Sequence, residues 1–232
     1  MLEITRLEQN AAEYGIQLDS ATLAKLDLYT QTLVEWNQKI NLTAITEPQD
    51  MENKHFIDSL LLANQPEIAG KLVDVGSGAG FPGMVAKVYK PQLQVTLIEP
   101  TGKRVRFLEE LASQLGLTVE VLKERAEEAA RKQWREKFDV ATARAVAALP
   151  VLCEYCLPLV KVGGWFVAMK GEAAEELAAA TAAIEKLGGK FEQQRTFTLP
   201  DGSARSLVLI RKTKATPPLY PRNGGTIAKR PL

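Results

Sequence analysis

The spacing of apolar residues along this chain changes character near residue 70. Before it, apolar side chains recur at helical intervals. Leu23, Leu26, Leu33 and Val34 follow Ser20, a residue able to cap a helix. Phe56, Leu60 and Leu61 fall on one side of a second helical stretch, from about 51 to 63. Asn41-Leu42-Thr43 breaks the pattern between them, and Glu47-Pro48 marks a turn. Beyond residue 70, short apolar runs alternate with helical stretches. The pattern predicts strands over 72–75, 93–98, 118–122, 138–143 and 164–170. Helices are expected over 81–89, 103–115, 150–159 and 172–187. Runs 191–199 and 206–211, divided by Pro200-Asp201-Gly202, read as an antiparallel pair at the far edge. The expected fold class is α/β: a Rossmann-like, seven-stranded, doubly wound sheet behind an N-terminal helical extension. Ligands of such sheets bind at the carboxyl ends of the first strands.

The first of those strands ends in Asp74-Val75-Gly76-Ser77-Gly78-Ala79-Gly80. Three glycines at alternate positions make a turn too tight for side chains and let a ligand press on the main chain. Pro82 and Gly83 then open a helix. The second strand ends in Glu99, whose carboxylate can accept both hydroxyls of a ribose diol. A phosphate-cradling loop would need Gly-Lys-Ser/Thr, which is missing, and a dinucleotide loop would place glycine where Phe81 stands. Alternate glycines with an acid two residues before the first are the usual pattern of class I S-adenosylmethionine-dependent methyltransferases. This cofactor carries an amine for Asp74 and a diol for Glu99. Asp74, Gly76, Gly78, Gly80 and Glu99 are therefore expected at the cofactor. The loop after the third strand, Glu124 to Glu128, lies against the adenine in this fold, although acids also simply favour a helix start.

Composition narrows the picture. At 232 residues and 46% apolar, the chain holds one α/β domain with appendages. The expected division is 1–64 as helical extension, 65–214 as the S-adenosylmethionine-binding domain and 215–232 as a basic tail. No run approaches a membrane span and the N-terminus does not read as a secretory signal, so a cytoplasmic protein is expected. Cys153 and Cys156 lie in an apolar stretch far from the only histidine, His55, so packing is expected of them and no metal site. A net charge of +1 hides an asymmetry: the last 31 residues hold seven of the 29 basic groups and none of the 28 acids. The rest of the chain is acidic. The basic end suits an anionic partner such as nucleic acid, or a merely solvated tail.

Methyl transfer from a sulfonium needs alignment, and needs a base only when the nucleophile must lose a proton. The stretch after strand four, Phe138 to Ala145, lacks the Asn/Asp-Pro-Pro-Tyr/Phe motif for exocyclic amines and the Pro-Cys of carbon-5 enzymes. Lys170 alone does not make the lysine-rich tetrad of ribose methylation. The pattern favours a nucleophile that needs no base, such as guanine N7. Arg144 is left to hold an anion or a base, or to form a structural ion pair.

Several separate segments resemble one family. Trp36-Asn37 with Lys39 to Ile45, His55 to Leu60, Asp74 to Gly83, Gly102-Lys103-Arg104, Arg125-Ala126-Glu127 and Ala143-Arg144-Ala145 match motifs of the bacterial glucose-inhibited division protein B family. The ending, Tyr220-Pro221-Arg222 through Ala228-Lys229-Arg230-Pro231, is similar to that family's basic C-terminus. Gly225 and Pro100-Thr101 depart from the usual residues. The resemblance implies a guanine-N7 methyltransferase acting on the decoding-region loop of 16S rRNA, free or in an assembling small subunit. It implies S-adenosyl-L-methionine as cofactor, with contacts at Gly76, Phe81, Ala126, Glu127 and Arg144, and Arg144 at the chemistry. A monomer without metal is expected. Lys103, Arg104, Arg222, Lys229 and Arg230 are candidate RNA contacts, with Asn37, Lys39, Asn41 and His55 lining the same opening. On this reading the tail touches RNA and leaves cofactor binding alone. Competing readings are a non-catalytic adenine-nucleotide-binding module and a small-molecule methyltransferase, which would not need the basic end.

Overall fold

The structure, a computed structural model, describes residues 2–232. Helices α1 (Ile4–Glu13) and α2 (Ser20–Asn37) come first. Asp19, and not Ser20, caps α2: its carboxylate accepts from the Thr22 N–H at 2.7 Å. Either side chain suits the position, and only the start of the helix decides between them. The stretch read as one helix over 51–63 is three pieces. Short α3 (Pro48–Met51) passes into a π-helical segment, Glu52–Ile57, and then into α4 (Asp58–Ala63). Buried Glu52 anchors this segment to α1 by accepting from Arg6 and Asn10.

The seven strands are β1 (Lys71–Val75), β2 (Gln94–Ile98), β3 (Glu120–Leu122), β4 (Phe138–Arg144), β5 (Val160–Lys170), β6 (Gly189–Thr198) and β7 (Ala204–Lys212). Their order is β3-β2-β1-β4-β5-β7-β6, with β7 antiparallel to both neighbours and the rest of the ladder parallel. The expected α/β doubly wound sheet is what forms. Alternation within β1 builds both layers. Leu72 joins the core under α5 (Gly83–Tyr89), α6 (Gly102–Gln114) and the N-terminal helices. Val73 and Val75 join the core under α7 (Ala126–Ala129), α8 (Leu149–Cys156) and α9 (Ala174–Lys186), where Cys153 and Cys156 are also buried. Among the described residues no helix is long and apolar enough to cross a membrane.

The N-terminal helices share the first core with the sheet. Tyr29 of α2 donates to the Ala79 carbonyl at 2.6 Å, beside Gly80. Gly80 has φ +93, and a Cβ there would stand 2.5 Å from the Tyr29 hydroxyl and 2.9 Å from Met84 Cγ. Gly80→Ala should therefore cost roughly 2–4 kcal/mol in urea unfolding, from left-handed backbone strain and overpacking together. An unchanged midpoint would mean that α2 yields at this contact.

Residues 215–232 do not stand away from the body. Arg135 donates to the Thr216 and Tyr220 carbonyls, and Arg131 to that of Pro221. Arg222 makes a two-pronged pair with Glu154, which is fully buried on α8. A last helix, α10 (Gly224–Lys229), follows, capped by Asn223.

Candidate active site

Two cavities open at the carboxyl ends of the central strands. The first, about 580 Å³, is lined by the glycine turn at Gly76, by Glu99, by Ala126 and Glu127, and by Ala145 to Ala147. Gly76, Gly78 and Gly80 have φ of +72, +56 and +93, a backbone that side-chain-bearing residues rarely adopt. A Cβ on Gly76 would press 2.6 Å from Val146 Cγ2. Glu99 is 2% exposed and accepts from the Gly78 N–H at 3.0 Å and the Thr101 N–H at 2.8 Å. Its carboxylate thus ties the turn to the end of β2, with Arg104 3.9 Å away. Buried Glu127 and the wall beside it come from the start of α7. Ala228 of α10 completes the lining, and Gly224 lies so close to the Glu127 carboxylate that a Cβ there would force the carboxylate to move.

Asp74 sits beneath the turn, fully buried. Its Oδ2 accepts from the Gly83 N–H at 2.9 Å, fixing the turn on α5, while Oδ1 has no partner. Burial pushes this carboxyl up to about 6 from 3.8, against the opposing pull of the Gly83 N–H and Arg144. A folded value above the unfolded one gives a stabilising term that is full below about pH 4 and is lost as pH rises through about 6. Relative to Asp74→Asn, the native chain should lose up to about 3 kcal/mol across that window. Chemical denaturation of both proteins at pH 4 and pH 7 measures it. A constant difference would place the proton elsewhere.

The second cavity, about 310 Å³, lies on the other side of Ala145, which lines both. Ala145 has φ +54, and a non-glycine residue in that region marks backbone held under strain. Arg144 reaches into the second cavity. Its Nη1 donates to the Lys54 carbonyl at 2.6 Å and to Asp58 Oδ2 at 3.0 Å. Its Nη2 lies 3.1 Å from His55 Nδ1, and its guanidinium carbon 5.2 Å from the Phe81 ring centre. The Arg144 guanidinium can only donate, so His55 Nδ1 is the acceptor and Nε2 carries the hydrogen given to Thr43 Oγ1 at 2.9 Å. Burial, and then the Arg144 charge, push His55 down to about 3, so it is neutral. Phe81 is stacked between His55 at 4.4 Å and Tyr29 at 4.9 Å. Arg205 also pairs with Asp58, and Lys170 with Glu176, at the same cavity.

The structure brings Gly76, Glu99, Ala126 and Glu127 together around the first cavity. Asp74, Gly78, Gly80 and Phe81 form the turn and its support, and Arg144 lies across Ala145. The proposed RNA contacts divide. Lys103, Lys229 and Arg230 are exposed, as is Asn41, while Lys39 is exposed and paired with Glu35. Arg104 is partly exposed beside Glu99. His55 is 6% exposed and used internally. Asn37 folds its own loop, accepting from the Leu42 and Thr43 N–H groups and donating to the Thr43 carbonyl. Arg222 is occupied by Glu154. Sequence reasoning missed Asp58, Arg205, Ala145 and Ala228. Asp58 carried a signal: it lies three positions after His55 in a helical stretch, hence on the same face. Arg205 carried none.

The sheet order, the glycine turn and the acid closing β2 define a class I methyltransferase fold. P. horikoshii TYW2 in complex with MeSAdo aligns with TM-score 0.54 at 15% identity, over 66% of this chain and 61% of that one. Precorrin-6y C5,15-methyltransferase from Geobacter metallireducens aligns with TM-score 0.50 at 13% identity, over 67% and 87%. At such identities the likeness is one of fold. Sequence is more specific. Ribosomal RNA small subunit methyltransferase G of Halalkalibacterium halodurans is 48% identical over 237 residues, covering 100% of both chains. Its namesake in Symbiobacterium thermophilum is 47% identical, covering 97% of this chain and 96% of its own. The chain belongs to the GidB family, rRNA small subunit methyltransferase G, whose sequence model matches residues 22–207.

Proposed function

We propose that the chain transfers a methyl group from S-adenosylmethionine to N7 of a guanine in the decoding-region loop of 16S rRNA, in the cytoplasm. Its family supports an rRNA substrate. The observation that carries the choice of N7 is that, among the described residues, the two side chains of the second cavity able to take a proton are both committed to arginines. His55 has one nitrogen accepting from Arg144 and the other holding its hydrogen toward Thr43. Asp58 is pinned between Arg144 and Arg205. An exocyclic amine or a hydroxyl must give up a proton, whereas the N7 lone pair need not.

When bound, the cofactor supplies an already activated methyl group on its sulfonium. The first cavity fits it. Glu99 is placed for the ribose hydroxyls, Ala126 and Glu127 for the adenine, and the Gly76 turn for close approach of the main chain. The orphaned Asp74 Oδ1 is the acceptor nearest in kind to the amine it carries. Arg144 holds the target base, and Ala145 is the divide across which donor and acceptor meet. Exposed Lys103, Asn41, Lys229 and Arg230 are open to phosphates, and Arg104 and Lys39 reach them by giving up their acidic neighbours Glu99 and Glu35. Labelled S-adenosylmethionine and small-subunit RNA test the whole reading, with the product base identified by mass spectrometry. 7-Methylguanine is expected, and a rate without an acid limb owed to the enzyme. A methylated amine or ribose would refute it.

A further inference from the structure

We propose that Asp58, together with Arg144, admits guanine to the second cavity and turns adenine away. The inference rests on the reading that this cavity receives the target base. At about 310 Å³ the space lies at the small end of ligand pockets, on the scale of a single base. Ile45 and Met169 form apolar walls, and a thioether packs well on an aromatic ring. The polar part is a fixed row. Arg144 Nη1 stands 3.0 Å from Asp58 Oδ2, and Arg205 Nε stands 3.2 Å from Asp58 Oδ1. The Asp58 side chain is 5% exposed and lines the cavity. A carboxylate has about four acceptor sites; Arg144 uses one on Oδ2, and Arg205 is an ion-pair partner of Oδ1 outside hydrogen-bond geometry.

Both Nη1 hydrogens of Arg144 are taken, by the Lys54 carbonyl and Asp58 Oδ2, so the open polar face is the Asp58 carboxylate, acceptor beside acceptor. Guanine presents the complement along its Watson–Crick edge, the N1–H and N2–H donors. Adenine presents an acceptor at N1 and only a C–H at C2. Acceptor would then face acceptor, with the open sites of the buried carboxylate left unpaired. Recognition from this edge leaves N7, on the opposite side of O6, free to face Ala145 and the first cavity.

The test is nuclear magnetic resonance of the full chain, methyl-labelled at Ile45 and Met169, with saturating S-adenosylhomocysteine. Guanosine, inosine and adenosine 5′-monophosphates are added at millimolar concentration. Inosine lacks only the N2 amine. Guanosine monophosphate should shift both methyls, inosine monophosphate should bind about tenfold more weakly, and adenosine monophosphate should leave them unmoved. In Asp58→Asn the preference for guanosine over inosine should shrink to within about twofold. Equal response to adenosine monophosphate, or no response to guanosine monophosphate, overturns the proposal for the unaltered chain alone. An undiminished preference in a folded Asp58→Asn overturns it too, leaving Asp58 a brace for Arg144. Methyl transfer to small-subunit RNA is scored separately. Its failure beside an intact guanine preference rejects the RNA reading and keeps the pocket.

Discussion

Arg144→Ala will lower the single-turnover rate of methyl transfer roughly a hundredfold at saturating RNA, as expected when a positioning contact at the reacting centre is lost. Affinity for S-adenosylmethionine should change little, because the guanidinium lies beyond Ala145 in the second cavity. The removed group satisfies three acceptors at once: the Lys54 carbonyl, Asp58 and His55 Nδ1. Asp58 keeps Arg205, so the fold survives, with a loss of about 1–3 kcal/mol. Arg144→Lys should fall between, since an ammonium keeps the charge and loses the planar fork. A normal maximal rate with weakened RNA binding would make Arg144 an affinity residue only. A collapse of cofactor affinity would move it to the donor side.

Arg222→Ala will act on cofactor binding from the far end of the chain. Glu154 is fully buried and Arg222 is its partner, so removing the guanidinium leaves a buried carboxylate with no countercharge and only the backbone N–H of residue 222 as a donor. Such losses cost about 3–5 kcal/mol. The same pair holds down the segment that leads into α10, and Ala228 of that helix walls the first cavity. Affinity for S-adenosylmethionine by calorimetry should fall about tenfold, equivalent to about 1.4 kcal/mol. The double variant Arg222→Met with Glu154→Met should recover most of the stability, because an apolar pair of similar volume needs no desolvation. The salt dependence of RNA binding separates this residue from its neighbours. Lys229→Ala or Arg230→Ala should each flatten the slope by about one, and Arg222→Ala should not. Unchanged cofactor affinity after deletion of 221–232 would restore the simpler view of a tail that serves RNA alone.

The sheet was legible in the sequence because parallel strands buried on both faces read as apolar runs with little alternation. The turn at Gly76 to Gly80 was legible because its backbone excludes side chains. The remainder depended on contacts with no local trace. A π-helical segment keeps nearly the same apolar spacing as an α-helix, so Glu52–Ile57 passed for regular helix. Docking of 215–232 is made by side chains some eighty residues away in sequence reaching backbone carbonyls. Polar residues look alike whether they face water or each other, so His55 and Asn37 read as free to meet a ligand although their side chains are spent on internal hydrogen bonds. Asp58, Arg144 and Arg205 come from three distant segments, and only folding shows that they meet.

The wall supplied by Ala228 also sets an order of events during synthesis. The sheet, the glycine turn and Glu99 are all synthesised before α10. The first cavity is complete only when that helix has emerged and Arg222 has found Glu154. A nascent chain that lacks α10 should therefore hold S-adenosylmethionine poorly. A fusion or tag placed after residue 232 would bear on this last step, whereas one at the opposite end would leave it alone.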